Sequence, residues 1–230
     1  YKRQTYDSHN GTDFAVPVGT EVRAPASGMV VRVVSEFQRG GLKVAIDHGG
    51  GLLTTCGHLA RAFVREGQPV RQGESIGLSG YSGIDGLFTF PWGIPHVHFN
   101  TWLGGRPVDP FPYANETSLF VGGWPKPLPK DWPSDEGGGL VQPSKYDPDA
   151  LRLHIEACTH VPTRKRLESL EPLWLRGGHL VFELCYRPTR FPRRAELPPL
   201  YSGRVERFQA LYLPFSAQDV DRVVFWDELR

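Results

Sequence analysis

The chain has 230 residues, 40% hydrophobic and 22% charged, which is the composition of an ordinary globular protein long enough to bury a real core in one or two domains. Its formal net charge of +1 supplies no broad basic field, and this excludes nucleic acid as the main partner. No apolar run is long enough to span a bilayer, and three cysteines are too few, and odd in number, for a disulfide scaffold.

The chain begins almost directly on His9-Asn10-Gly11-Thr12-Asp13, with no secretory leader visible, as expected of a mature or trimmed form. Gly11 and the β-branched Thr12 favour a turn entering a strand over a helix, so this segment is expected to pass from loop to strand. Short β-branched runs follow, Met29 to Val34 and Leu42 to Asp47, alternating with glycine turns. Convincing amphipathic helices are scarce, and the first half reads as mainly β. In His96-Val97-His98 the two histidines are two apart, so on a strand both face one way and Val97 the other.

From Val121 to Pro148 the composition changes. Trp124-Pro125-Lys126-Pro127-Leu128-Pro129 is followed by Gly137-Gly138-Gly139, which predicts a linker or surface wrap. Beyond it, strands are expected at Leu151 to Ala157, Leu180 to Tyr186 and Val205 to Leu213. Leu151, Leu153, Ile155 and Ala157 alternate on one face. Ser216-Ala217-Gln218-Asp219 is positioned to cap a short helix, and Val223 to Trp226 fits either a helix or a strand. The expected organisation is a domain over 1–120, a linker over 121–148 and a β-rich accessory domain over 149–230.

The chemistry-bearing residues are His9, Asp13, His96 and His98, drawn from distant segments. Two imidazoles and one carboxylate make a three-ligand zinc site with a free fourth position, whereas structural zinc is closed by four protein ligands. The open position points to hydrolysis, because bound zinc lowers the pKa of water from about 15.7 to about 7.

His9-Asn10-Gly11-Thr12-Asp13-Phe14-Ala15, Gly57-His58-Leu59 and His96-Val97-His98-Phe99 together resemble the lysostaphin-type, LytM-like zinc metallopeptidases that cut peptidoglycan peptides. Pro25 to Val30, Ile46 to Gly51, the paired glycine turns at Gly67 and Gly73, and Pro107-Val108-Asp109-Pro110 match the same family in order. The resemblance covers about residues 5–113. It implies antiparallel sheets forming a groove, with one Zn²⁺ per chain held by His9, Asp13 and His98. His58 and His96 would be unliganded catalytic histidines that share proton transfer and oxyanion stabilisation. It also implies a peptidoglycan stem or cross-bridge peptide as substrate and an extracytoplasmic, periplasmic or secreted, location. His48, Asp47 and Asp109 are expected to be structural.

This chain departs from the family at two positions. Cys56 replaces an aromatic residue two before His58 and is expected to widen or reshape the cleft. Asn100 stands where a glutamate is common, and a carboxylate that orients a ligand histidine is then missing. The aromatic run Leu87 to Trp92 is expected to form an enlarged loop along the groove. Cys158 and Cys185 are expected to pair only if the compartment is oxidising and their separation allows it. His154, His160 and His179 match no zinc spacing. The loop bearing Arg187, Arg190, Arg193 and Arg194 is either solvated or turned to an anionic wall polymer.

The resemblance implies a zinc endopeptidase of peptidoglycan. A non-catalytic module that binds wall peptides or activates a hydrolase is the alternative, although such relatives usually lack ligand residues. The glycine turns also resemble those of biotinyl and lipoyl carriers, but no lysine stands at a matching turn tip.

Overall fold

A computed structural model of the chain describes residues 11–85, 94–113, 115–132, 141–220 and 223–224. His9, the run Leu87 to Trp92, Gly137-Gly138-Gly139 and Trp226 lie outside the described residues. Among the described residues nine strands form one antiparallel sheet: β1 (Thr12–Ala15), β2 (Glu21–Arg23), β3 (Gly28–Glu36), β4 (Gly41–Asp47), β5 (Leu52–Ala62), β6 (Pro69–Val70), β7 (Ser75–Ser79), β8 (His96–Leu103) and β9 (Arg106–Pro107). The main order is β1-β8-β5-β4-β3-β6, with β2 and β7 attached through β5 and β9 paired to β8. The mainly β expectation therefore holds for the first half, and the segment after Gly11 enters a strand as expected.

Paired residues on antiparallel neighbours share a face, and this sorts the two sides of the sheet. Cys56 pairs with Phe99, and both join Val44, Ile46, Leu52 and Val97 in one buried cluster. Residues 119–128 and 210–217 form a strap that completes this side. Val121 N–H donates to Leu211 O at 2.9 Å, Leu213 N–H to Lys126 O at 2.9 Å and Leu128 N–H to Phe215 O at 2.8 Å. The strap adds Leu119, Phe120, Leu211, Leu213 and Phe215 to the core. The Pro-rich expected linker is thus a surface wrap up to residue 132.

The opposite face carries Val31, Ala45, Leu53 and Trp102, covered by helices. Here the structure corrects the expectation of a β-rich accessory region over 149–230. Leu151 to Ala157 falls mostly in α1 (Pro148–Glu156), α2 (Val161–Glu168) follows, and Leu180 to Tyr186 ends α3 (Leu173–Tyr186). Val205 to Leu213 is irregular apart from a bridge at Leu211. The alternation at 151–157 was genuine but not decisive. Ala150, Leu151, His154 and Ile155 are the buried set, a helical spacing. Asp147 caps the helix by accepting from Ala150 N–H at 2.8 Å, with Pro148 in its first turn. Ser216 to Asp219 forms a turn, with Ser216 O accepting from Asp219 N–H at 3.0 Å.

Polar contacts tie the helices to the sheet. Buried Asp47 accepts from Ser144 Oγ at 2.6 Å and from Gly49 N–H at 2.9 Å, so it is structural as expected, and burial pushes its pKa up. Asp109 likewise accepts from Phe111 N–H at 3.1 Å. His48 bridges Ser27 O at 3.0 Å and Thr54 Oγ1 at 2.8 Å. Glu183 of α3 receives Arg166 at 2.7 Å and Arg190 at 3.0 Å, and also pairs with Arg187. Arg194 donates to Gly105 O, and Arg193 pairs with Glu196 at 2.9 Å. Most of the arginine-rich loop therefore closes on the protein itself. Cys158 Sγ lies against His160 O and Cys185 Sγ against Gly105 O, each at 3.7 Å, and both thiols are unpaired with each other.

α3 packs closely because it presents glycine to the sheet. A Cβ added at Gly178 would stand 2.5 Å from Val31 Cγ1 and 2.6 Å from Val31 Cβ. Gly178→Ala gains about 1 kcal/mol in helix propensity, yet the rigid clash forces the helix off the sheet. A net destabilisation of about 1–3 kcal/mol is expected in urea unfolding. An unchanged or raised midpoint would mean that this close packing does not exist in solution.

Candidate active site

β1 and β8 place Asp13 directly opposite His98. Asp13 Oδ1 lies 2.8 Å from His98 Nδ1 and 3.8 Å from His96 Nε2. The period of two holds: His96, His98, Asn100 and Trp102 share one face of β8, while Val97 and Phe99 enter the core on the other. His58 reaches the same place from β5, with its ring centroid 4.7 Å from that of His96 and 6.0 Å from that of His98.

His58 is set by backbone strain. Its φ of 59° is the only left-handed value among the described non-glycine residues, a conformation that costs about 1–3 kcal/mol and persists only where surroundings over-determine it. The surroundings are the β3–β4 turn and the loop after β7. His58 N–H donates to Gly40 O at 2.7 Å, and its Nδ1 lies 2.8 Å from Ser82 O. Ser82 Oγ donates to Leu59 O at 2.7 Å and accepts from Leu42 N–H at 2.8 Å, while Asp85 accepts from Gly40 N–H at 2.6 Å. Gly41 is required here, because a Cβ on it would lie 2.2 Å from Ser82 at a φ of 55°.

A carbonyl accepts only, so Nδ1 of His58 carries the proton and Nε2 carries the lone pair. His96 is held in the same tautomer, because its Nδ1 faces Ile94 O at 2.9 Å. Burial is the main influence on His58 and lowers its pKa; the Ser82 carbonyl opposes this and neighbouring His96 reinforces it. Both rings are buried.

The donor set suits zinc. Nitrogen and oxygen ligands at about 2.0–2.1 Å from one tetrahedral zinc stand roughly 3.3 Å apart, so the Asp13–His98 pair needs to open by only about half an ångström. Among the described residues no group of three or more His, Cys, Asp or Glu converges as a complete metal site. Asp13 and His98 are two members of the expected set, and His9, the third, is outside the described residues.

The expectation for Cys56 is corrected. It alternates with Thr55 and Gly57, which pair with Asn100 and His98 on the site face, so Cys56 points into the opposite core and is 1% exposed. It does not shape the cleft, and burial raises its pKa to about 12. Sequence reasoning missed Ser82, Asp85 and Tyr186. The glycine pair Gly40-Gly41 hinted at a sharp turn near the site, but nothing local to Ser82 or Tyr186 announces their distant partners.

Residues 7–110 match the family described as Peptidase family M23. The peptidoglycan DD-endopeptidase ShyA of Vibrio cholerae is 40% identical over 102 residues, which span 44% of this chain and 22% of that protein. The DD-carboxypeptidase/endopeptidase Mpg of Neisseria meningitidis serogroup B is 32% identical over 151 residues, or 65% of this chain and 30% of that protein. The chain thus spans less than a third of the length of these curated relatives. Among solved structures, the catalytic domain of lysostaphin from Staphylococcus simulans is 29% identical with a TM-score of 0.38, over 44% of this chain and 75% of that one.

Proposed function

Residues 7–110 of this chain belong to peptidase family M23, and from that premise we propose that the protein is a zinc-dependent endopeptidase acting on peptidoglycan peptides. The observation that carries the reading is the convergence of Asp13, His98, His96 and His58, with Asp13 Oδ1 2.8 Å from His98 Nδ1 and the His58 and His96 rings 4.7 Å apart. Asp13 and His98, with His9 by motif, would hold the metal. When bound, zinc supplies Lewis-acid polarisation of the scissile carbonyl and acidifies water.

The protein's own groups handle the protons. His58 and His96 keep Nδ1–H on backbone carbonyls, so each Nε2 is a proton acceptor. One Nε2 would take the proton of the attacking water and return the same proton to the leaving amine, while the other ring, when it carries a proton on Nε2, would hydrogen-bond the developing oxyanion. Fixing both rings from behind keeps them in one orientation through the reaction, which is what preorganised catalysis needs. The two DD-specific relatives named above favour a DD-peptide bond over a glycyl bridge. An extracytoplasmic location follows from such a substrate, and no helix of the described residues is long and apolar enough to cross a membrane.

Elemental analysis of the purified protein is expected to find about one zinc per chain. Incubation with peptidoglycan sacculi should release soluble fragments, and chelator should stop the release. Fragment masses then identify the bond. Absence of zinc after reconstitution, with no release, would replace this reading by a non-catalytic wall-peptide-binding module.

A further inference from the structure

Tyr186 is the last residue of α3, 76 positions beyond the family-matched segment, yet it reaches the site. Its hydroxyl donates to Asn100 Oδ1 at 2.7 Å, and the same oxygen accepts from Thr55 Oγ1 at 3.0 Å. Asn100 lies two residues from His98 on the same face of β8. It is also packed against the start of β1, since a Cβ on Gly11 would stand 2.7 Å from Asn100 Nδ2. Asn100 therefore lies between Thr55 of β5 and Gly11 at the entry to β1.

The backbone of the same tyrosine contacts the other half of the site. Tyr186 O accepts from Arg39 Nη1 at 2.7 Å, and Arg187 pairs with Glu36. Arg39 belongs to the β3–β4 turn, whose Gly40 carbonyl holds the strained His58, and Glu36 ends β3 at the base of that turn. The ring is locked by Trp102 at 5.3 Å and Phe182 at 4.6 Å between centroids, with Lys43 Nζ 4.9 Å above it. Lys43 is fully buried and bonds Glu36 at 2.8 Å, which returns the network to the same turn.

We propose that Tyr186 is a positioning residue of the active site: through Asn100 it fixes the Asp13–His98 pair, and through Arg39 and the β3–β4 turn it fixes His58, so the C-terminal helical segment sets the spacing between the two halves. This proposal rests on the zinc-site reading above.

Tyr186→Phe in the full chain removes one hydroxyl and leaves the ring packing and the Arg39 bond in place. Zinc affinity, measured by chelator competition, is expected to weaken about 3–10-fold, somewhat less than the loss typical of groups that contact a ligand directly. On a defined peptidoglycan peptide, kcat is expected to fall about 5–10-fold with KM within about twofold, because reacting groups shift while substrate contacts do not. Asn100→Ala should show the same pattern, and adding Tyr186→Phe to it should change neither quantity further. An earlier unfolding midpoint with zinc affinity and kcat both unchanged would reduce Tyr186 to a structural residue, and additive effects of the two substitutions would equally overturn the clamp. If the native chain binds zinc but hydrolyses no peptide, the catalytic reading fails, while the zinc-affinity coupling between Tyr186 and Asn100 still decides this one.

Discussion

His98→Ala is expected to abolish hydrolysis together with metal binding, whereas His96→Ala should keep about one zinc per chain and lose activity by roughly 10²–10⁴-fold. The two residues are separated only by Val97, both are on the site face of β8, and both approach Asp13. Their ring nitrogens differ in partner. His98 Nδ1 lies 2.8 Å from the Asp13 carboxylate, whereas His96 Nδ1 lies on the Ile94 carbonyl and its Nε2 is 3.8 Å from Asp13. On the proposed reading, removing the first would delete a ligand from a three-ligand set, a loss that two donors do not compensate, and removing the second would delete a proton carrier. Zinc content and fragment release measured on the same preparations separate the roles, and equal metal loss from both variants would show that the division of ligand from catalyst is wrong.

A chain ending at Pro143 is expected to lose cooperative folding. Truncation there strips both faces of the sheet at once. On one face Leu211, Leu213 and Phe215 leave a cluster that contains Cys56 and Phe99. On the other, α1 to α3 uncover Val31, Ala45, Leu53 and Trp102, each no more than 1% exposed in the intact protein. Burying one such large side chain contributes about 1.5–3 kcal/mol, and several together approach the roughly 5–15 kcal/mol that separates folded from unfolded domains. Asp47 would also lose Ser144 and Tyr146, two of its buried partners. Circular dichroism melts and solubility of the 1–143 fragment check this. A soluble fragment with a sharp transition within a few degrees of the intact chain would establish that residues 1–143 are self-sufficient.

Much of the site was legible in the residue order. His96-Val97-His98 is a strand pattern, and on a strand a spacing of two is enough to put both rings on one face. Gly11-Thr12-Asp13 announces a turn into a strand, and the cross-strand pairing of Asp13 with His98 then follows once β1 lies beside β8. The error at 149–230 has an equally specific cause. Leu151, Leu153, Ile155 and Ala157 satisfy a period of two, while Ala150, Leu151, His154 and Ile155 satisfy a helix, and a nine-residue window does not separate the two. The stronger local signal was Asp147-Pro148, a cap followed by a first-turn proline, and it carried the correct answer. The reading of Cys56 failed for a related reason: its distance from His58 was counted along the chain, whereas strand alternation and the left-handed backbone at His58 put the two on opposite sides.

By itself, then, the sequence determined the donor chemistry, the strand spacing that aligns His96 with His98, and the glycine positions that permit tight turns, because these depend on residue identity and on periods of a few residues. Only the tertiary structure decided that the helices of the C-terminal segment share a face with the histidines, that Ser82 and Gly40 hold His58 in a strained conformation, and that Tyr186 reaches Asn100 across 86 positions. Such contacts arise from how buried surfaces pair across the sheet, and no local pattern in the chain encodes which distant partner will satisfy a given carbonyl or hydroxyl.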